Sequence, residues 1–163
     1  MFRFKSICAF AIMAFALFMQ SQTKDTKQQP QYAAMTKTMK VFGTWQGTTP
    51  CADCSGIITT LTLYQKAPNN FIDAVYRMHL KYIDRGSFTN YGSWKVLRGM
   101  PGNADATVYQ LDPDKSGKEY YLRVDDNTLQ QLDGDMKPID SKLNFTLKRI
   151  GTSQNIDKPN PPQ

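Results

Sequence analysis

The 163-residue sequence predicts an all-β fold: one small antiparallel up-and-down barrel of about eight strands, with a two-sheet β-sandwich as the alternative. Three observations carry this reading. Between residues 42 and 150, apolar and polar side chains alternate with a period of two, as half-buried strands require. Clusters rich in Gly, Pro, Asn and Asp interrupt that alternation at hairpin spacing. No sustained helical stripe occurs in the same stretch.

The elements follow in order. Arg3 and Lys5 precede an unbroken apolar run of 13 residues, Ile7 to Met19. A spanning helix needs about 20 residues, so residues 1–21 read as a secretory signal peptide. Export to the periplasm or cell envelope follows, with no spanning segment expected in the mature chain. Cys8 falls inside this leader, and no cysteine stands just after the run to carry a lipid. Residues 22–40 are rich in Gln, Thr and Lys, contain Pro30 and show no sustained period, so a flexible linker is expected.

The domain proper spans 41–150. Its first strand covers Phe42 to Thr48. In the second, Ile57, Thr59, Leu61 and Leu63 share one face and Ile58, Thr60, Thr62 and Tyr64 the other. After a turn at Pro68-Asn69-Asn70, the third turns Tyr76, Met78, Leu80 and Tyr82 inward, with Asp73, Arg77, His79 and Lys81 outward. Trp94 and Val96 begin the fourth after Gly92, and Tyr109 and Leu111 mark the fifth. Tyr120, Leu122 and Val124 mark the sixth, Leu129 the seventh, and Leu143, Phe145 and Leu147 the eighth. Gly99 to Asn103, Asp112-Pro113-Asp114, Asp125-Asp126-Asn127 and Asp133-Gly134 separate them. Residues 151–163, with three prolines, read as a disordered tail. Gly43-Thr44-Trp45 and Gly92-Ser93-Trp94 are similar to the Gly-x-Trp of lipocalin-like barrels, whose indole closes one end. Both tryptophans are therefore expected in the core.

Composition excludes whole classes of function. A 40% apolar and 12% aromatic content supports a packed core and rules out wholesale disorder. The net charge of +6 and the pI near 9.2 describe the ends: residues 41–150 carry 13 Lys/Arg against 12 Asp/Glu. No nucleic-acid partner is expected from that balance. A single histidine, no Gly-x-Ser-x-Gly and no phosphate-cradling glycine loop give no basis for an enzyme or for catalytic residues.

The informative segment is Pro50-Cys51-Ala52-Asp53-Cys54-Ser55-Gly56, between the first two strands. Haem attachment needs His after the second cysteine, where Ser55 stands. A thioredoxin-like site needs a helix N-terminus in a βαβ unit, and structural zinc wants four ligands. The chain has one histidine and no second Cys pair, and His79, on the polar face of its strand, is at best a weak third ligand. Two main readings stay open: Cys51 and Cys54 as soft ligands for Cu(I), or a Cys51–Cys54 disulfide, structural or redox-labile. They exclude each other at any moment, because a disulfide offers no thiolate. Met35 and Met39 are candidate thioether donors in the linker. Asp53 is expected either to hold the turn by side-chain hydrogen bonds or to raise the thiol pKa by like-charge repulsion.

The string Gly47-Thr48-Thr49-Pro50-Cys51-Ala52-Asp53-Cys54-Ser55-Gly56-Ile57, followed by Thr59 and Leu61, resembles the signature of the N-terminal domain of the NlpE family. Members of that family are copper resistance or homeostasis lipoproteins of the bacterial envelope. Gly92-Ser93-Trp94, Lys137-Pro138-Ile139 and Leu143 to Leu147 extend the resemblance over Phe42 to Arg149. It implies a lipocalin-like barrel, a copper site at Cys51 and Cys54, and an envelope role in surface sensing, copper tolerance or stress signalling. The partners it implies are a copper ion and an inner-membrane stress-sensing protein. The chain departs from the family in showing no lipid-bearing cysteine and no room for a second, OB-like domain. Two other readings differ in class: a barrel whose interior holds a small apolar ligand, and an envelope interaction protein with a purely structural disulfide.

Overall fold

A computed structural model describes residues 23–151, so the leader and the tail beyond Gly151 lie outside the described residues. Among the described residues one helix, α1 (Thr23–Thr36), precedes eight strands. They are β1 (Lys40–Thr49), β2 (Ile57–Gln65), β3 (Val75–Tyr82), β4 (Ser87–Met100), β5 (Asn103–Leu111), β6 (Glu119–Arg123), β7 (Thr128–Leu132) and β8 (Thr146–Gly151). Each strand pairs antiparallel with its sequence neighbours, and β8 pairs back onto β1 through Trp45–Arg149 and Gln46–Lys148. The ring is closed, which decides for the up-and-down barrel over the two-sheet sandwich.

Alternation explains the interior. In β2 and β3, Leu61 opposes Met78 and Leu63 opposes Tyr76, and all four are buried. Trp45, Trp94, Tyr109, Leu111, Tyr121, Leu129 and Leu147 complete one continuous core. Phe42, Phe71, Trp94 and Tyr109 meet there at ring separations of 5.2–5.8 Å, in tilted and edge-on arrangements. Phe71 comes from the β2–β3 connection, so this aromatic cluster plugs the barrel end opposite the β1–β2 turn. Within β1, position 43 requires glycine because the Trp45 ring folds back over it, leaving no space for a Cβ.

Four expectations are corrected. The fourth strand begins at Ser87, not after Gly92, and its first half pairs with β3. Where a linker without structure was expected, residues 23–36 form a helix that packs against β3 and β4. Its polar composition leaves no apolar stripe to read, and docking on the sheet supplies what propensity does not. In β6 it is Tyr121 that points into the barrel. Tyr120 and Leu122 face outward onto a second cluster with Ala106, Val108, Leu132 and Met136, and Val124 is exposed beyond the strand. The eighth strand begins only at Thr146. Leu143 is exposed in a turn held by Asn144, whose Nδ2 donates to the Thr48 carbonyl at 2.8 Å.

Candidate functional site at the Cys51–Cys54 turn

The β1–β2 connection is short, and its ends are fixed from both sides. Thr49 pairs with Ile57 across the ladder, and the Thr49 and Thr59 hydroxyls are 2.9 Å apart. Gly56 adopts φ of 148°, a conformation that L side chains rarely accept, and a Cβ there would lie 2.8 Å from Thr48 Cγ2. The Gly56 carbonyl accepts from Ile83 N–H at 3.0 Å, so the turn leans on the β3–β4 connection.

Within this frame Cys51 and Cys54 are joined by a disulfide, with Cα atoms 5.3 Å apart. Both are half-buried, whereas Ala52, Asp53 and Ser55 are exposed. The two sulfurs and a carboxylate oxygen of Asp53 lie within 4.8 Å of one another. Asp53 Oδ1 is 3.6 Å from Cys51 Sγ. Its other oxygen accepts from Arg85 Nη1 at 2.9 Å, and Arg85 Nη2 donates to the Asp53 backbone carbonyl at 2.6 Å. Arg85 thus offsets the charge of the carboxylate and clamps the turn to its neighbour. The structure brings together three of the residues singled out from sequence and adds a fourth, Arg85. That residue stands 32 positions away from Asp53, and no local motif marks it.

Other candidates fall elsewhere. His79 is half-buried on the outer face of β3, its Nδ1 3.0 Å from Thr89 Oγ1, and it is outside the sulfur–carboxylate cluster. Met35 ends up in the last turn of α1, and Met39 precedes β1, at the opposite end of that strand from Cys51. The barrel interior is occupied by the side chains of the core, which gives the apolar-ligand reading no support.

Residues 45–142 match the family described as the NlpE N-terminal domain. The chain belongs to the NlpE family. Lipoprotein NlpE of Escherichia coli (strain K12) is 33% identical over 128 residues, covering 76% of this chain and 47% of that protein. This NlpE-family chain therefore spans about half the length of the curated relative it matches. A crystal structure titled as the Cpx pathway activator NlpE from Escherichia coli is 30% identical, with a TM-score of 0.40, covering 68% of this chain and 52% of that one. No helix among the described residues is long and apolar enough to cross a membrane.

Proposed function

We propose that this NlpE-family barrel is an exported envelope protein whose Cys51–Cys54 turn is a redox-gated soft-metal site, closed as a disulfide and competent for Cu(I) when reduced. The observation that carries the reading is the convergence of two sulfurs and the Asp53 carboxylate within 4.8 Å on an accessible turn. The donor set fits the metal chemically, since thiolate sulfur selects Cu(I), and that ion accepts low coordination. Opening the ring requires two electrons and two protons from a dithiol reductant, which itself becomes a disulfide. Cys51 and Cys54 would then hold the ion, which supplies a soft, monovalent charge to the turn. Arg85 keeps Asp53 engaged and the backbone fixed through both states. Membership of the NlpE family and the likeness to Lipoprotein NlpE support an envelope role, with an inner-membrane stress-sensing protein as the partner class.

The test is Cu(I) titration of thiol-reduced protein against a chromophoric chelator, with free-thiol counting by mass in parallel. Reduced protein is expected to take up about one equivalent, and oxidised protein none. Cys51→Ser and Cys54→Ser should each lower the affinity by at least about tenfold. Uptake unchanged in the double serine variant would remove the metal assignment and leave a structural disulfide.

A further inference from the structure

The outer face of the barrel holds a second feature, independent of the sulfur site. Strands β8, β1, β2, β3 and β4 are contiguous around the ring, and none of them carries an Asp or Glu. The near-neutral balance of the domain therefore conceals a segregation, with acids in connections, β5 and β6, and cations alone on this wall.

Two transverse ladders cross that wall. One runs Lys148, Gln46, Thr60, His79, Thr89, each the cross-strand partner of the next. The other runs Thr44, Thr62, Arg77, Tyr91. Between them lies a groove of about 330 Å³ lined by Gln46, Thr60, Arg77, His79, Tyr91 and, at its apolar margin, Ile150. Gln46 Nε2 donates to Thr60 Oγ1 at 2.9 Å, which leaves the Thr60 hydroxyl proton to donate elsewhere. Arg77 is half-buried here, and none of the ion pairs among the described residues includes it.

A half-buried guanidinium facing hydroxyls and an imidazole, with no carboxylate on its own or the adjoining strands, is a receptor for an oxyanion. The groove has the size of a small-molecule site, and Tyr91 and Ile150 give it apolar walls. Lys81 adds flanking positive charge on the same face, which suits a group bearing nearly two negative charges at neutral pH, whereas the Lys148 ammonium turns away from the groove to donate to Thr128 Oγ1 at 2.8 Å. We infer that this groove binds a phosphomonoester, with Arg77 holding the phosphoryl group and the organic remainder lying against Tyr91 and Ile150.

The experiment titrates phenyl phosphate into the folded, disulfide-intact protein and follows backbone amides by heteronuclear NMR, with benzoate as the carboxylate comparison. Saturable shifts are expected at Arg77, His79, Thr89 and Tyr91. Arg77→Gln should weaken binding by about tenfold or more, Arg77→Lys by less, and Lys95→Gln, farther along β4, not at all. Thermal melts check that each variant is folded, and the lysine variant keeps the test informative if the glutamine variant is not. A parallel arm uses phosphatidylcholine vesicles with and without phosphatidic acid: Arg77-dependent binding to the latter identifies the phosphomonoester as a lipid headgroup. Absence of saturation with either source, equal binding of benzoate, or indifference to Arg77→Gln would each overturn the assignment.

Discussion

Glu119 shows how one residue ties the core to pH. It opens β6 beside Tyr121, whose hydroxyl donates to Glu119 Oε2 at 2.9 Å. Burial pushes the Glu119 carboxyl above its usual range; the Tyr121 hydrogen bond draws it part of the way back, and the nearby Asp112 charge pushes it up again. The native state thus holds this proton more tightly than the unfolded chain does. Stability from Glu119 is greatest below the ordinary carboxylate range and falls as pH rises through the elevated native value. Glu119→Gln, which keeps an acceptor for Tyr121, should raise the melting midpoint at pH 7. That gain should vanish near pH 4, about where the unfolded carboxyl is itself protonated. Midpoints measured across this interval check both the sign and the window.

At the level of elements, β4 works for two neighbours. Residues 87–93 pair with β3, and pairing with β5 begins at Trp94. The first half of β4 therefore presents an edge, and α1 covers part of it. Gln29 Nε2 donates to the Tyr91 carbonyl at 2.7 Å, and Tyr91 N–H donates to Gln29 Oε1 at 2.8 Å, so one side-chain amide stands in for a strand residue. The segment Ser87 to Ser93 has no charge or proline to discourage edge pairing. Gln29→Ala should leave the core intact, speed exchange of the Tyr91 amide by about tenfold, and increase light scattering on heating; exchange mass spectrometry and turbidity would read these. Neither the helix nor its role is legible in the sequence, because a polar helix held by one amide pair has no periodicity. β2 and β3 are legible because the polar Thr60, Thr62, Arg77 and His79 alternate with the apolar Leu61, Leu63, Tyr76 and Met78 of the inner face. β6 misleads because both its faces carry apolar residues, Tyr121 buried in the barrel and Tyr120 and Leu122 half-buried against the cluster of Met136 and Leu132, so alternation does not say which is inside.

For the whole molecule, closure is what the chain's grammar of eight hairpin-spaced strands expresses, and the core follows from it. Leu61 is fully buried at the centre of the inner face, so Leu61→Ala should cost about 2–5 kcal/mol in urea unfolding, with an unchanged slope. The sulfur site was legible to the extent that it is local: Cys51, Asp53 and Cys54 sit on one turn. Its support was not, since Arg85 reaches the turn only after β2 and β3 have folded back. Nor was the cationic wall, because a count over residues 41–150 averages acids in the loops with bases on the strands.

The plugged end has a consequence for anyone watching this protein in a cuvette. Its two tryptophans, Trp45 and Trp94, both belong to the aromatic cluster away from the sulfur turn, with the Arg149 guanidinium 4.6 Å above the Trp45 ring. Indole emission therefore registers whether that stopper is seated, and a reductant can unlatch the far rim without altering the colour of the light.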